Sequence, residues 1–203
     1  MIVGVDEAGR GPLLGRVYSA AVIINKYHPE ITDSKKLSES KITKLADFIR
    51  INAVKYSIKY STEQEIDEIN ILQATMKSMH ECIKSLNITK PDDYILYIDG
   101  TYFKKYDSMK HICIPGGDLL NYEISCASIL AKDARDQYIR DLCREKPILI
   151  LYDCINNKGY GARRHIDAIK KYGITEYHRK TFGICKTAKK LAKIKLKKDI
   201  ISN

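Results

Sequence analysis

At 203 residues, 44% of them hydrophobic, the chain suits one domain spanning 1–203 with a sizeable core. No window approaches the ~18 consecutive apolar residues of a membrane span, and the N-terminus lacks the basic start and apolar stretch of a signal peptide, so a soluble, cytoplasmic protein with no membrane partner is expected. The net charge of +10 sits in the last quarter, about 158–203: from Lys158 onward 14 Lys and Arg face only Asp167, Glu176 and Asp199, a block that either attracts polyanions through counterion release or forms a solvated basic helix.

Ile2 to Val5 and Val17 to Ile24 read as short apolar strands joined by a glycine-rich turn, followed by the loop DSKKLSES and a helix from about Glu39 to Ile51. Val54, Tyr56, Ile58 and Tyr60 alternate with polar neighbours as a half-buried strand does. Thr62-x-x-Glu65 has the form of a capping box, and Leu72, Met76, Met79, Ile83 and Leu86 then recur at helical spacing. Tyr94 to Ile98 and His111 to Ile114 are two further strands, ending on Asp99-Gly100 and Pro115-Gly116-Gly117-Asp118. A long helix is expected from about Ser125 to Arg144, with shorter ones near Arg163 to Tyr172 and Ile184 to Lys197. The class is therefore α/β, one mixed sheet with helices packed on it. The six cysteines form no C-x-x-C pair and lie mostly in apolar segments, which suits reduced core thiols.

Asp6, Glu7, Asp99 and Asp118 each lie where an apolar run gives way to a glycine or a turn, at the rim where a ligand can reach. Four acids on one rim repel one another unless divalent cations with oxygen ligands, such as Mg or Mn, turn the repulsion into attraction. Two such ions suit phosphodiester cleavage. Taken singly, Asp99 or Asp118 is more simply a turn residue. A strict strand would point Asp6 and Glu7 to opposite faces, so the pair requires a bend or a different role for one of them.

The sequence resembles type 2 ribonuclease H, in its ribonuclease HII branch. The resemblance rests on GVDEAGRGPLLG (4–15), DSKKLS (33–38), IDGT (98–101), GGD (116–118), ISCASILAKDARD (124–136), GYG with a following His165 (159–165) and HRKTF (178–182), in family order along most of the chain. It implies a ribonuclease H-like fold, a mixed five-stranded sheet flanked by helices, here with a helical C-terminal segment. It also implies a two-metal endonuclease, using Mg2+ or Mn2+, that cuts RNA paired with DNA and 5′ of single ribonucleotides in duplex DNA, in ribonucleotide and primer removal. The family acids map onto Asp6, Glu7, Asp99 and Asp118, with Asp136 as runner-up for the fourth place because Arg135 or Arg140 could pair with it. Gly9, Arg10 and Gly11 match the segment that reaches ribose 2′-hydroxyls, and Tyr160 the tyrosine that stacks past the last ribonucleotide. Lys35 and Lys36 are phosphate contacts or plain loop residues, His165 a helix residue or part of the substrate wall, and Arg179 and Lys180 phosphate contacts.

Three positions depart from the family pattern: Arg16 for a proline, Ala162 for a threonine beside the tyrosine turn, and Cys126 for an alanine. The ribonuclease HIII branch, with its added N-terminal domain and no Gly-Arg-Gly, fits less well. A monomer acting on RNA/DNA hybrid and ribonucleotide-containing duplex DNA is expected, and a sliding-clamp contact stays open. The rivals are a fold-mate that binds nucleic acid without cutting it, against which the four intact acids speak, and an integrase or resolvase that cuts DNA.

Overall fold

One inner strand of the sheet is built from residues that allow cover on both faces. In β2 (Val17–Ile24) every residue is buried, and its alternate side chains enter two different cores. The computed structural model describes residues 1–32 and 34–191, and of Lys35 the backbone alone. β2 pairs antiparallel with β1 (Ile2–Ala8) and with β3 (Ala53–Ser61), while β1 pairs in parallel with β4 (Ile95–Asp99), and β4 with β5 (Lys110–Ile114), giving the order β3-β2-β1-β4-β5.

On one face Ala20, Val22 and Ile24 meet α1 (Glu39–Asn52) and α4 (Tyr122–Glu145); on the other Ala21 and Ile23 join Val3, Val5, Leu96 and Ile98 beneath α2 (Glu63–Ser85). The expected capping box opens α2, with Thr62 and Glu65 exchanging bonds, and Asn70 interrupts it at φ 66°. Helix α4 begins earlier than expected, because the Asn121 side chain accepts the Ile124 N–H and caps it. It also crosses β1 so closely that a Cβ on Gly4 would stand 2.1 Å from the Glu123 carbonyl.

The C-terminal half of α4 carries a separate core, where Ile139, Leu142 and Cys143 pack with Leu14, Tyr152, Ile169 and Cys185. Around it lie α5 (Cys154–Asn157) and α6 (Arg163–Tyr172), while α3 (Gly117–Leu120) sits at the rim after β5. The helix expected from Ile184 to Lys197 is corrected in its first part. Gly183–Lys186 is a single 3-10 turn, after which Ile174 donates its N–H to the Lys189 carbonyl and accepts the Leu191 N–H. Pairing with that segment removes the groups a helix would need, and residues 192–203 lie outside the described residues. The six cysteines are free thiols, all but Cys113 buried, and among the described residues no helix is long and apolar enough to cross a membrane.

Candidate active site

The site begins where β1 outruns β4. Their pairing ends at Val5 and Ile98, yet β1 continues in unbroken register with β2 through Asp6, Glu7 and Ala8. Of the two readings of Asp6-Glu7, a bend or a different role for one of them, the bend is therefore absent. The two side chains take opposite faces as a strand dictates, and both still border the notch left past the end of β4. Asp99 closes β4 across that notch, and Asp118 lies in the first turn of α3. The four acids line one cleft of about 540 Å3, together with Gly9, Arg10, Gly11, Asp136 and Tyr160.

Asp6 and Asp118 are buried. Asp99 Oδ1 accepts the Gly117 N–H at 2.7 Å, which ties the end of β4 to the start of α3. Burial, and then the neighbouring Glu7 and Asp99 carboxylates, hold the Asp6 carboxyl well above the usual range; bonds from Ser128 and from the Glu7 N–H, 2.6 Å away, act in the opposite direction. Among the described residues no group of three or more His, Cys, Asp or Glu is already drawn together to hold a metal. The acids share a cleft and a repulsion, and a cation would have to draw them inward.

The Gly9-Arg10-Gly11 turn forms one lip of this cleft. Gly9 has φ +92°, and a Cβ there would lie 3.0 Å from the Arg16 carbonyl. Its carbonyls face inward to Arg179, which corrects an expectation. Arg179 is fully buried and reaches no phosphate. Its Nη2 donates to Gly9 O at 2.6 Å, Nη1 to Arg10 O at 2.8 Å and Nε to Gly15 O at 2.8 Å. Burial, reinforced by Arg135, lowers its pKa to about 10, which leaves it a cation at neutral pH. The Arg10 side chain is exposed and meets Glu7 at 3.2 Å, a surface pair that substrate can displace.

Tyr160 stands beside this turn, its exposed ring 3.5 Å from where a Cβ on Gly11 would lie and the Arg135 guanidinium 5.4 Å from its centroid. The turn bearing it is tied to the Gly-Arg-Gly side by the Leu13 N–H donating to Gly159 O at 2.9 Å. Of the two readings of His165, the structure takes the helix residue: it lies on α6, fully buried behind Tyr160, and not on a substrate wall. Lys36 and Lys180 are exposed and do not line the cleft, although Ser34 and Leu37 beside Lys36 do, and the Lys35 side chain lies outside the described residues. Asp136 does border the cleft, paired with Lys132 and Arg135 at 3.2 Å each, whereas Arg140 turns to Glu39.

Sequence reasoning missed Ser128 and named Arg135 only as a partner for Asp136, although both sit in the ISCASILAKDARD block. Arg135 is 2% exposed, bonds the Lys158 carbonyl, and lies beneath Gly9 and beside Tyr160. Small residues on a helix face beside a lone Arg were the available signal. Of the three departures, Arg16 stacks between Tyr60 and Tyr138 outside the cleft, Cys126 is core, and Ala162 leaves α6 without a side-chain cap.

The sequence family described as Ribonuclease HII matches residues 3–185. A curated Ribonuclease HII from Phocaeicola vulgatus is 42% identical over 186 residues, covering 91% of this chain and 90% of that protein. Among solved structures, the PCNA:RNase HII complex from Archaeoglobus fulgidus matches with a TM-score of 0.71 at 21% identity, covering 93% of this chain and 98% of that one. Bst-RNase HIII in complex with Mn2+ matches with a TM-score of 0.57 at 15% identity, covering 82% of this chain and 64% of that one. At those identities the two structures speak to the fold, a mixed sheet flanked by helices.

Proposed function

The chain belongs to the ribonuclease HII family of hydrolytic endoribonucleases, and from that premise we propose that it hydrolyses the RNA strand of RNA/DNA hybrids and cuts on the 5′ side of single ribonucleotides embedded in duplex DNA. The observation that carries this reading is that Asp6, Glu7, Asp99 and Asp118 share one cleft with both the Gly9-Arg10-Gly11 turn and Tyr160. A cutting site and a sugar-reading site thus face the same strand. Ribonucleotide and primer removal in the cytoplasm are the corresponding roles.

The donor set fits hard divalent cations: carboxylate oxygens alone, two of the four side chains buried, with the Asp6 carboxyl raised by burial and then by its neighbours' charge. Asp6, Glu7, Asp99 and Asp118 would hold Mg2+ or Mn2+, and two such ions, when bound, activate a water and stabilise the leaving oxygen, giving 5′-phosphate and 3′-hydroxyl ends. The chain's own groups do the rest. Ser128 and the Glu7 N–H orient Asp6, and the Gly117 N–H orients Asp99. The Gly-Arg-Gly backbone meets ribose 2′-hydroxyls, and the exposed Tyr160 ring stacks on the next deoxyribose.

Cleavage of hybrid and single-ribonucleotide duplexes, with all-DNA duplex left intact, tests the reading and separates it from an integrase-like activity. Tyr160→Ala should lower the rate at a single embedded ribonucleotide at least about tenfold relative to continuous RNA, where several 2′-hydroxyls remain to be read. An unchanged ratio of the two rates makes Tyr160 a packing residue.

The basic C-terminal segment is assigned to backbone phosphates. Because Lys189 and Leu191 bond to Ile174, the clean truncation is after Leu191, which removes Lys193, Lys195, Lys197 and Lys198. Binding to hybrid should weaken, and the slope of log affinity against log salt should become shallower by up to about 3. An unaltered slope would give those lysines to solubility.

A further inference from the structure

Behind the tyrosine turn lies a buried polar chain that neither the acids nor the reading loop uses. His165, on α6, and His178 are both fully buried. His165 Nδ1 stands 2.8 Å from the Tyr160 carbonyl oxygen, and the two Nε2 atoms of His165 and His178 are 3.0 Å apart. His178 Nδ1 accepts the Thr175 backbone N–H at 3.0 Å, with the Thr175 hydroxyl 2.8 Å away.

Each end of this chain fixes a proton. A carbonyl can only accept, so His165 carries its proton on Nδ1; a backbone amide can only donate, so His178 Nδ1 is bare. A neutral imidazole with a bare Nδ1 holds its proton on Nε2, and His178 therefore donates to His165. The two ends assign the middle contact independently and agree. Every donor meets one acceptor, running from Thr175 through His178 and His165 to Tyr160. Charging either ring would force two N–H groups face to face, and burial keeps both pKa values low, that of His178 at about 3.

We infer that His165 and His178 are positioning residues, a neutral and tautomer-locked pair that fixes the Tyr160 backbone and, through it, the angle at which the ring meets the sugar beyond the ribonucleotide. This rests on the reading of Tyr160 as the junction residue. The turn has need of such a support. Its carbonyl already takes the Ala162 N–H at 2.8 Å, and Ala162 supplies no side-chain cap to α6. A ring that is exposed and poised to stack gains its orientation from the backbone beneath it.

The test compares two amide replacements. In His165→Gln the amide matches Nε2 and cannot reach the Tyr160 carbonyl, whereas in His165→Asn an N–H stands where Nδ1–H stood. The ratio of single-ribonucleotide to continuous-RNA cleavage should fall about tenfold in His165→Gln and largely recover in His165→Asn. In a Tyr160→Ala background His165→Gln should leave the ratio where Tyr160→Ala alone puts it, because a residue acting through Tyr160 has nothing left to act on. A further independent drop there overturns the inference. If Tyr160→Ala lowers the ratio and His165→Gln does not, the pair is wrong and the tyrosine reading stands; if Tyr160→Ala leaves it unchanged, the tyrosine reading itself falls. Should the variants not fold, long-range 1H–15N spectra of the unaltered protein near neutral pH decide the matter. Protons on His165 Nδ1 and His178 Nε2 are expected, and either the opposite tautomers or a charged ring overturns the assignment.

Discussion

Asp6→Asn is expected to reduce cleavage by at least about a thousandfold and, in the metal-free protein at neutral pH, to raise the melting temperature by about 2–4 °C. The two effects share one cause. Asp6 is buried between the Glu7 and Asp99 carboxylates, which holds its carboxyl well above the usual range. A carboxyl whose pKa is raised on folding binds more protons in the folded than in the unfolded chain. Stability therefore falls as pH rises from the ordinary aspartate range through the folded value, and neutral pH lies on the destabilised side. The neutral amide removes that repulsion, and ~1 kcal/mol corresponds to the stated shift in a chain of this size. Below the ordinary aspartate range both proteins should melt alike, because both side chains are then uncharged. Thermal melts across pH, paired with a hybrid-cleavage assay, measure both effects. A variant that is inactive and also less stable at neutral pH would remove the repulsion from the account.

Arg179→Lys should cost about 3 kcal/mol in stability and on the order of 100-fold in cleavage of hybrid, with the acids untouched. The guanidinium serves the Gly9, Arg10 and Gly15 carbonyls at once. An ammonium is a point charge on a flexible stem and cannot reproduce that planar fork, so carbonyls are left buried without donors and the reading loop loses its backing. Denaturant unfolding gives the first figure and single-turnover cleavage the second. Undiminished stability in Arg179→Lys would contradict the scaffold role, and the loss of a phosphate contact would instead show mainly as a shallower salt dependence.

The sheet and the acid cluster were legible because their signals are local. An apolar run ending on Asp99-Gly100 announces a strand end, and Thr62 with Glu65 announces a helix start, without reference to distant residues. Arg179 was legible as important and was placed on the wrong side of the surface, while for His165 a helix residue and a substrate-wall residue stayed open. In sequence a charged or polar residue in a basic segment reads as exposed. What buries Arg179 is a set of carbonyls at Gly9, Arg10 and Gly15, some 164 to 170 residues away, and no periodicity carries that information. The same holds for the C-terminal helix expected from Ile184: helical composition was present, but pairing of Lys189 and Leu191 with Ile174 took the backbone first.

That distance between Arg179 and the turn it supports bears on how the protein comes into being at the ribosome. The acids of β1, β4 and α3 lie within the first 118 residues, and α4, which covers the second face of the sheet that carries them, is complete by Glu145. The support for Gly9 and Arg10 is encoded near the other end, so the Gly9-Arg10-Gly11 turn is among the last pieces that can settle. Contacts of such separation also make ring closure entropically late when the finished chain refolds. An incomplete nascent chain thus carries the four acids without the buried guanidinium that backs the Gly9-Arg10-Gly11 turn, and a chain ended before Arg179 is expected to cleave hybrid poorly.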